Sequence, residues 1–280
     1  MENIFYNFLN NQKNQKSDND NIENLMYPID RPDPTQFFLD VRQLVGCWLQ
    51  KEIDKLKGAH WLKTNLTYPS FEHLSMAYKN QVFCIIIDVI NEKTNKHYLL
   101  EQYRQNLVKE CTNNNLIPCI YKVFINDPLN PAYNTLKPIS TGWNLYHAVT
   151  DETIIPENIA TDELVKMSEW EMHDFAIQIV RDYITKNLNY KLLSYQNILG
   201  IEPQLWLEDN NMVKKYVLVR YTMFPNEKAK KPTDINKIHA NCQGHTGYFA
   251  SVAFCSQGID KTVLYRGDGA YIRFEGLESI

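Results

Sequence analysis

The chain has 280 residues, 44% of them apolar and 22% charged, with only 10 glycines, which excludes a disordered or fibrous chain and leaves room for one large domain or two of ordinary size. Twenty-nine basic against 33 acidic groups give a net charge of -4, so bulk charge offers no pull toward a polyanion such as nucleic acid, and only local basic patches could supply one. Six cysteines, placed in apolar runs such as FCIII and VAFC, together with the lack of a signal-peptide or membrane-span run in the first twenty residues, predict a cytoplasmic chain with reduced thiols.

In chain order, MENIFYNFL reads as a short helix, and Asn10 to Asn24 contains almost nothing that can be buried, so residues 1–30 read as a flexible tail. From Gln36, apolar residues Phe37, Val41, Leu44, Val45, Trp48, Leu49, Ile53 and Leu56 recur at helical spacing until Gly58. A proline-led segment then turns near Lys79 and Asn80 into the unbroken apolar run Val82 to Ile90, which predicts a hairpin whose second strand is buried on both faces. A helix over Tyr98 to Thr112 and a strand over Pro118 to Ile125 complete the first half.

Asn126 to Ser168, rich in Pro, Asn and Thr, reads as a linker, with WNLYHAVT inside it as a strand or docking arm. Ser168 and Glu171 then form a capping-box pattern at the start of a helix over Trp170 to Asn187. A hairpin over Glu202 to Arg220, a helix near Asp234 to Gln243 and the strand YFASVAF follow, and VLYRGDGAYIRF reads as two short strands around an Asp-Gly turn. The second half thus repeats the order of the first, with Pro69 and Pro203 in register and Cys111 matching Cys242. Either one α/β unit has been duplicated or two unrelated α/β stretches share an order; the predicted domains are 31–140 and 141–280, each a mixed sheet flanked by helices.

Helix, hairpin, helix, strand resembles the core of the PD-(D/E)xK restriction-endonuclease-like superfamily, and EPQLWLEDNNMVKKYVLVR resembles its central hairpin. The resemblance implies an Asp opening the first hairpin strand and an acid-x-Lys on the second, where carboxylates hold Mg²⁺ and the Lys steadies the attacking water. Here Pro203 matches the family's proline, but Gln204 stands at the Asp position, Leu218 at the acid and Arg220 at the Lys. In the first half Ser70 and Ile86-Ile87-Asp88 occupy the matching positions. YFASVAF followed by LYRGDGAYIRFEGLE is also similar to uncharacterised proteins of gut and environmental Bacteroidetes, a likeness that implies no mechanism.

Without those acids, the expected function is non-catalytic binding of a macromolecule, another protein rather than nucleic acid, through an exposed aromatic and polar face that includes Trp170, Gln204, Trp206, Arg220, Tyr265 and Arg266. The alternative is a divergent metal-dependent nuclease using Glu171, Gln204 and Arg220, with ligands migrated to Glu171, Glu202 or Asp88. Glu169, Glu171, Asp174 and Asp182 otherwise read as a solvated helical face, and Lys214-Lys215 and Lys228 to Lys231 as a hairpin tip and an exposed loop. A third reading is a zinc-stabilised module using His239, Cys242 and His245, with Cys255 as a fourth ligand; packed core cysteine beside solvated histidines is the simpler account. Cysteine catalysis by Cys242 with His245 or His173 has no local mark of a nucleophile, and without a Gly-rich phosphate loop no nucleotide cofactor is implied.

Overall fold

The computed structural model describes residues 36–62, 74–126, 136–188 and 190–280. They belong to two compact units, the first reaching Leu164 and the second running from Val165 to Ile280. The predicted N-terminal tail, Tyr68, Pro69, Ser70 and residues 127–135 of the predicted linker lie outside the described residues.

In the first unit, α1 (Gln36–Ile53) turns Val41, Val45, Leu49 and Ile53 onto a sheet. Its strands are β1 (His60–Leu62), β2 (Leu74–Tyr78), β3 (Gln81–Asn91), β4 (Ile117–Ile125), β5 (Leu136–Pro138), β6 (Leu145–His147) and β7 (Thr153–Ile154), and α2 (Glu101–Asn113) crosses over between β3 and β4. The order is β1-β2-β3-β4-β6-β7, with β5 also on β4; β3 and β4 are parallel and the other pairs antiparallel. Phe83, Ile85, Ile87 and Val89 of β3 pack beneath α1, while Cys84, Ile86 and Asp88 are buried on the opposite face. A strand covered on both sides has no solvent face to mark with polar residues, and so its sequence reads as one apolar run.

The predicted boundary at 140/141 therefore moves to 164/165. β6 and β7 complete the first sheet, and the Asn80 side chain, beside the β2–β3 turn, accepts from the Thr161 N–H at 2.9 Å and donates to its hydroxyl at 2.8 Å. Those backbone and side-chain bonds hold the predicted linker, including the short helix α3 (Pro156–Ile159), to the first unit.

The second unit begins with α4 (Glu169–Tyr183), which opens on the predicted capping box: the Glu171 N–H donates to Ser168 Oγ at 3.2 Å and the Ser168 N–H to Glu171 Oε2 at 2.8 Å. A π-helical turn, Ile184–Leu188, ends it. Then come β8 (Lys191–Tyr195), β9 (Leu205–Glu208), β10 (Lys214–Met223), α5 (Ile235–Asn241), β11 (Thr246–Ser256) and β12 (Ala270–Ser279). The sheet order is β12-β11-β10-β9-β8, with β10 and β11 parallel and every other pair antiparallel. Met172, Ala176, Ile177, Val180 and Ile184 cover one face over Val217, Val219, Val252 and Phe254; Ile238 and Cys242 cover the other over Trp206, Tyr216, Leu218 and Phe249.

β8 was not legible as a strand. VLYRGDGAYIRF supplies one strand rather than two: Leu264 drops into the core and Tyr265 makes a single bridge to Lys166, so the stretch before Ala270 is a loop. Gly247 of β11 lies against the Tyr216 ring, where a Cβ would stand 2.4 Å from Cζ. Gly247→Ala is expected to cost about 1–3 kcal/mol by overpacking, read as a lower urea midpoint; an unchanged midpoint would contradict this packing.

Candidate functional site

The first turns of α4 lie where the second unit gathers its buried polar groups. Sequence reasoning placed Glu171 and Asp174 on a solvated face, yet both are buried, as is His173 between them. Trp170 and Ile177 flank Asp174 at helical spacing and are themselves buried, so Asp174 shares the inward stripe. That pattern was the signal available in the sequence.

Each acid has found an internal partner. Arg266 donates from Nε to Glu171 Oε1 at 2.7 Å and from Nη2 to Oε2 at 2.9 Å, and the two side chains are only 4% and 8% exposed. This forked pair ties the 261–269 loop to the start of α4. Glu202, in the loop before β9, accepts from Arg220 of β10, whose other terminal nitrogen donates to Val219 O at 2.9 Å. Burial raises the Glu202 carboxyl above its ordinary range, and the Arg220 guanidinium pulls it back. In the first unit Asp88 accepts from His97 Nδ1 at 2.5 Å and from the Leu99 N–H at 3.2 Å; burial pushes it up, and His97 opposes the shift.

Asp174 has no direct cation. It accepts from Asn197 Nδ2 at 2.8 Å and Gln178 Nε2 at 3.3 Å, and Gln178 in turn accepts from Arg181 at 2.8 Å. Burial lifts its pKa to about 7 against these amide bonds and the Arg181 charge. Burial and the nearby Arg220 charge lower His173 to about 4. Among the described residues His173 Nε2, Asn197 Oδ1, Glu202 Oε2 and Arg181 Nε are buried without a hydrogen-bond partner, which leaves this seam polar but incompletely satisfied there.

The three positions implied by the nuclease resemblance are closed. Gln204 donates to Ile201 O at 2.8 Å and accepts from the Val219 N–H at 2.8 Å, which spends its amide on stitching the start of β9 to β10. Leu218 is fully buried beneath α5, and Arg220 is held by Glu202. A divalent ion needs several anionic oxygens turned to one point. Among the described residues no group of three or more His, Cys, Asp or Glu side chains could hold a metal.

The zinc set is likewise dispersed. His239 Nδ1 lies 3.0 Å from the Tyr216 hydroxyl, the His245 ring stands edge-on to Trp206 at 5.7 Å, and Cys242 is buried with its thiol pushed to about 12, so no thiolate is offered. Cys242 caps the end of α5 on one side of the sheet and His173 belongs to α4 on the other, so the structure does not bring that pair together either.

The expected exposed face also needs correction. Trp170, Gln204, Trp206 and the Arg266 side chain are buried, while Arg220 and Tyr265 are partly exposed. Trp206 fills the core beside Tyr216, because a large ring gains from enclosure, and Arg266 goes inward to meet Glu171. The second unit does expose large apolar residues: Leu199 before β9, Met212 and Val213 at the β9–β10 turn, Phe224 after β10, Ile259 in the loop after β11, and Tyr271 and Ile272 at the start of β12. Register brings Phe224, Tyr271 and Ile272 to the same end of the sheet, since Phe254 accepts from the Phe224 N–H at 2.8 Å and pairs with Ile272, and Cys255 pairs with Tyr271; Tyr271 and Ile272 turn to opposite faces. No described helix is long and apolar enough to cross a membrane.

No curated protein and no solved structure matches the chain. A family model described as Domain of unknown function (DUF8840) matches residues 170–280, a span that opens in the first turn of α4 and takes in the buried polar seam, the five-stranded sheet and the exposed apolar end.

Proposed function

We propose that this chain is a non-catalytic, cytoplasmic macromolecule-binding protein whose partner is another protein, built on two duplicated units of degenerate restriction-endonuclease-like fold. One observation carries the reading: the three carboxylates expected as migrated metal ligands are each engaged internally, Glu171 by Arg266, Glu202 by Arg220 through one of its oxygens, and Asp88 by His97. The shared order supports the duplication. Helix, three antiparallel strands, helix and a fourth strand parallel to the third describe both α1-β1-β2-β3-α2-β4 and α4-β8-β9-β10-α5-β11.

Protein is favoured over nucleic acid because three of the five lysines in the basic concentrations already have acidic partners. Lys215 faces Asp209 at 3.3 Å, and Lys228 and Lys231 both bond Glu278. The exposed apolar side chains of Phe224, Ile259, Tyr271 and Ile272 near one end of the sheet support a protein contact there instead.

The test is an assay of the full chain with Mg²⁺ or Mn²⁺ on single- and double-stranded DNA and RNA. No cleavage is expected, and Glu202→Gln should change nothing. Metal-dependent cleavage that Glu202→Gln abolishes would establish the nuclease reading instead, with the unpartnered Glu202 Oε2 as the migrated ligand.

A further inference from the structure

Among the described residues β12 ends its sheet with ten residues, Ala270–Ser279, and pairs only with β11. The other sheet ends among the described residues are blunted: β1 has three residues, β7 two, and β8 five with an irregular register. β12 carries one such device, a bulge where Glu275 and Gly276 stand against Ser251, with Gly276 at φ 96. The straight part before it, Ala270 to Phe274, has no proline and only one charge, while Tyr271 is 63% and Ile272 45% exposed.

The direction of its backbone groups follows from one bond. The Gln257 N–H donates to Gly269 O at 2.9 Å, so this opposed pair is of the hydrogen-bonded kind. Alternation from there, through Cys255 opposite Tyr271 and Ala253 opposite Arg273, turns the N–H and C=O of Tyr271 and Arg273 toward β11. Those of Ala270, Ile272 and Phe274 point to the outer edge.

We propose that this edge pairs antiparallel with the same strand of a second copy, about a two-fold axis at Ile272. The segment is complementary to itself in that register: Ile272 meets Ile272, Tyr271 meets Arg273, and Ala270 meets Phe274. The Arg273 guanidinium spends its nitrogens on Glu227 and Glu275, which leaves its flat face to stack on the opposing Tyr271 ring. The bulge at Glu275 stops the pairing and so sets its register. The proposal rests on the protein-binding reading in that it names one partner of the exposed end, but the two fail separately, since self-association and nuclease activity are measured independently.

Sedimentation equilibrium of the full chain decides it. The weight-average mass should rise from 32.9 kDa toward twice that value over micromolar to hundreds of micromolar protein. Ile272→Pro removes an outward N–H that β11 does not use, and it should raise the dimer dissociation constant at least about tenfold. Tyr271→Arg, which sets two arginines opposite each other, should weaken the dimer, and adding Arg273→Tyr should restore it. If Ile272→Pro does not fold, the swapped pair decides alone. A mass that stays at 32.9 kDa, or a dimer whose constant Tyr271→Arg leaves unchanged, overturns the proposal.

Discussion

Glu171→Gln is expected to destabilise the second unit by about 3–5 kcal/mol, the range for breaking a buried ion pair from one side. The substitution keeps the shape of the side chain, so what it isolates is charge: Arg266, 4% exposed, stays in place with a neutral amide opposite. Leaving a guanidinium buried without its counter-ion is what costs, and replacing both partners avoids that cost. The pair Glu171→Leu with Arg266→Met should therefore recover most of the loss, less about 1 kcal/mol for the capping-box bond that Glu171 makes to the Ser168 N–H. Urea unfolding read by amide exchange on α4 and β10 separates this unit from the other. If Glu171→Gln unfolds at the wild-type midpoint, the pair is not the tie that holds the 261–269 loop to α4.

The second large effect is a pH dependence hidden by its own neighbour. Asp174 is an acid raised from 3.8 to about 7, so between those values the folded chain keeps a proton that the unfolded chain releases, and stability falls as pH rises. His173 is a base lowered from 6.5 to about 4, so between those values the unfolded chain takes a proton that the folded chain refuses, and stability falls as pH drops. From about pH 4 to 6.5 the two slopes oppose each other. Glu202, raised by burial, adds to the Asp174 side.

Asp174→Asn should remove one slope and leave a protein that loses on the order of 2–3 kcal/mol, relative to wild type, as pH falls from 6.5 to 4. His173→Gln should do the reverse and gain stability over the same fall. Chemical denaturation at half-unit pH steps measures both, and identical profiles for the two variants would refute the opposed titration. At pH 8 Asp174→Asn should also be more stable than wild type, since an ionised carboxylate held by two amides is replaced by a neutral group of the same shape.

Where periodicity was strong, the sequence was a good guide. The α1 stripe from Phe37 to Ile53, the unbroken run of β3, and the Ser168–Glu171 capping box all have local causes, and all occur where expected. β8 was missed because KLLSY is short, half-exposed and irregular in register, so neither alternation nor a continuous apolar run marks it. The loop over Val263 to Gly269 reads as a strand in sequence because its local pattern alternates; the long-range pull of Glu171 on Arg266 and the burial of Leu264 override that pattern.

By itself, the sequence determined which residue types stand at Gln204, Leu218 and Arg220, because side-chain chemistry is a local property and no fold can make an amide or an isobutyl group into a carboxylate. It also determined that β3 would be a buried strand. Only the tertiary structure decided that Glu171, Glu202 and Asp88 are consumed by Arg266, Arg220 and His97, that Trp170 and Trp206 lie inside, and that Tyr271 and Ile272 form the exposed edge. Pairing across 95 residues, as between Glu171 and Arg266, depends on where strands and loops meet in space, and that is set by the sum of packing over the whole unit.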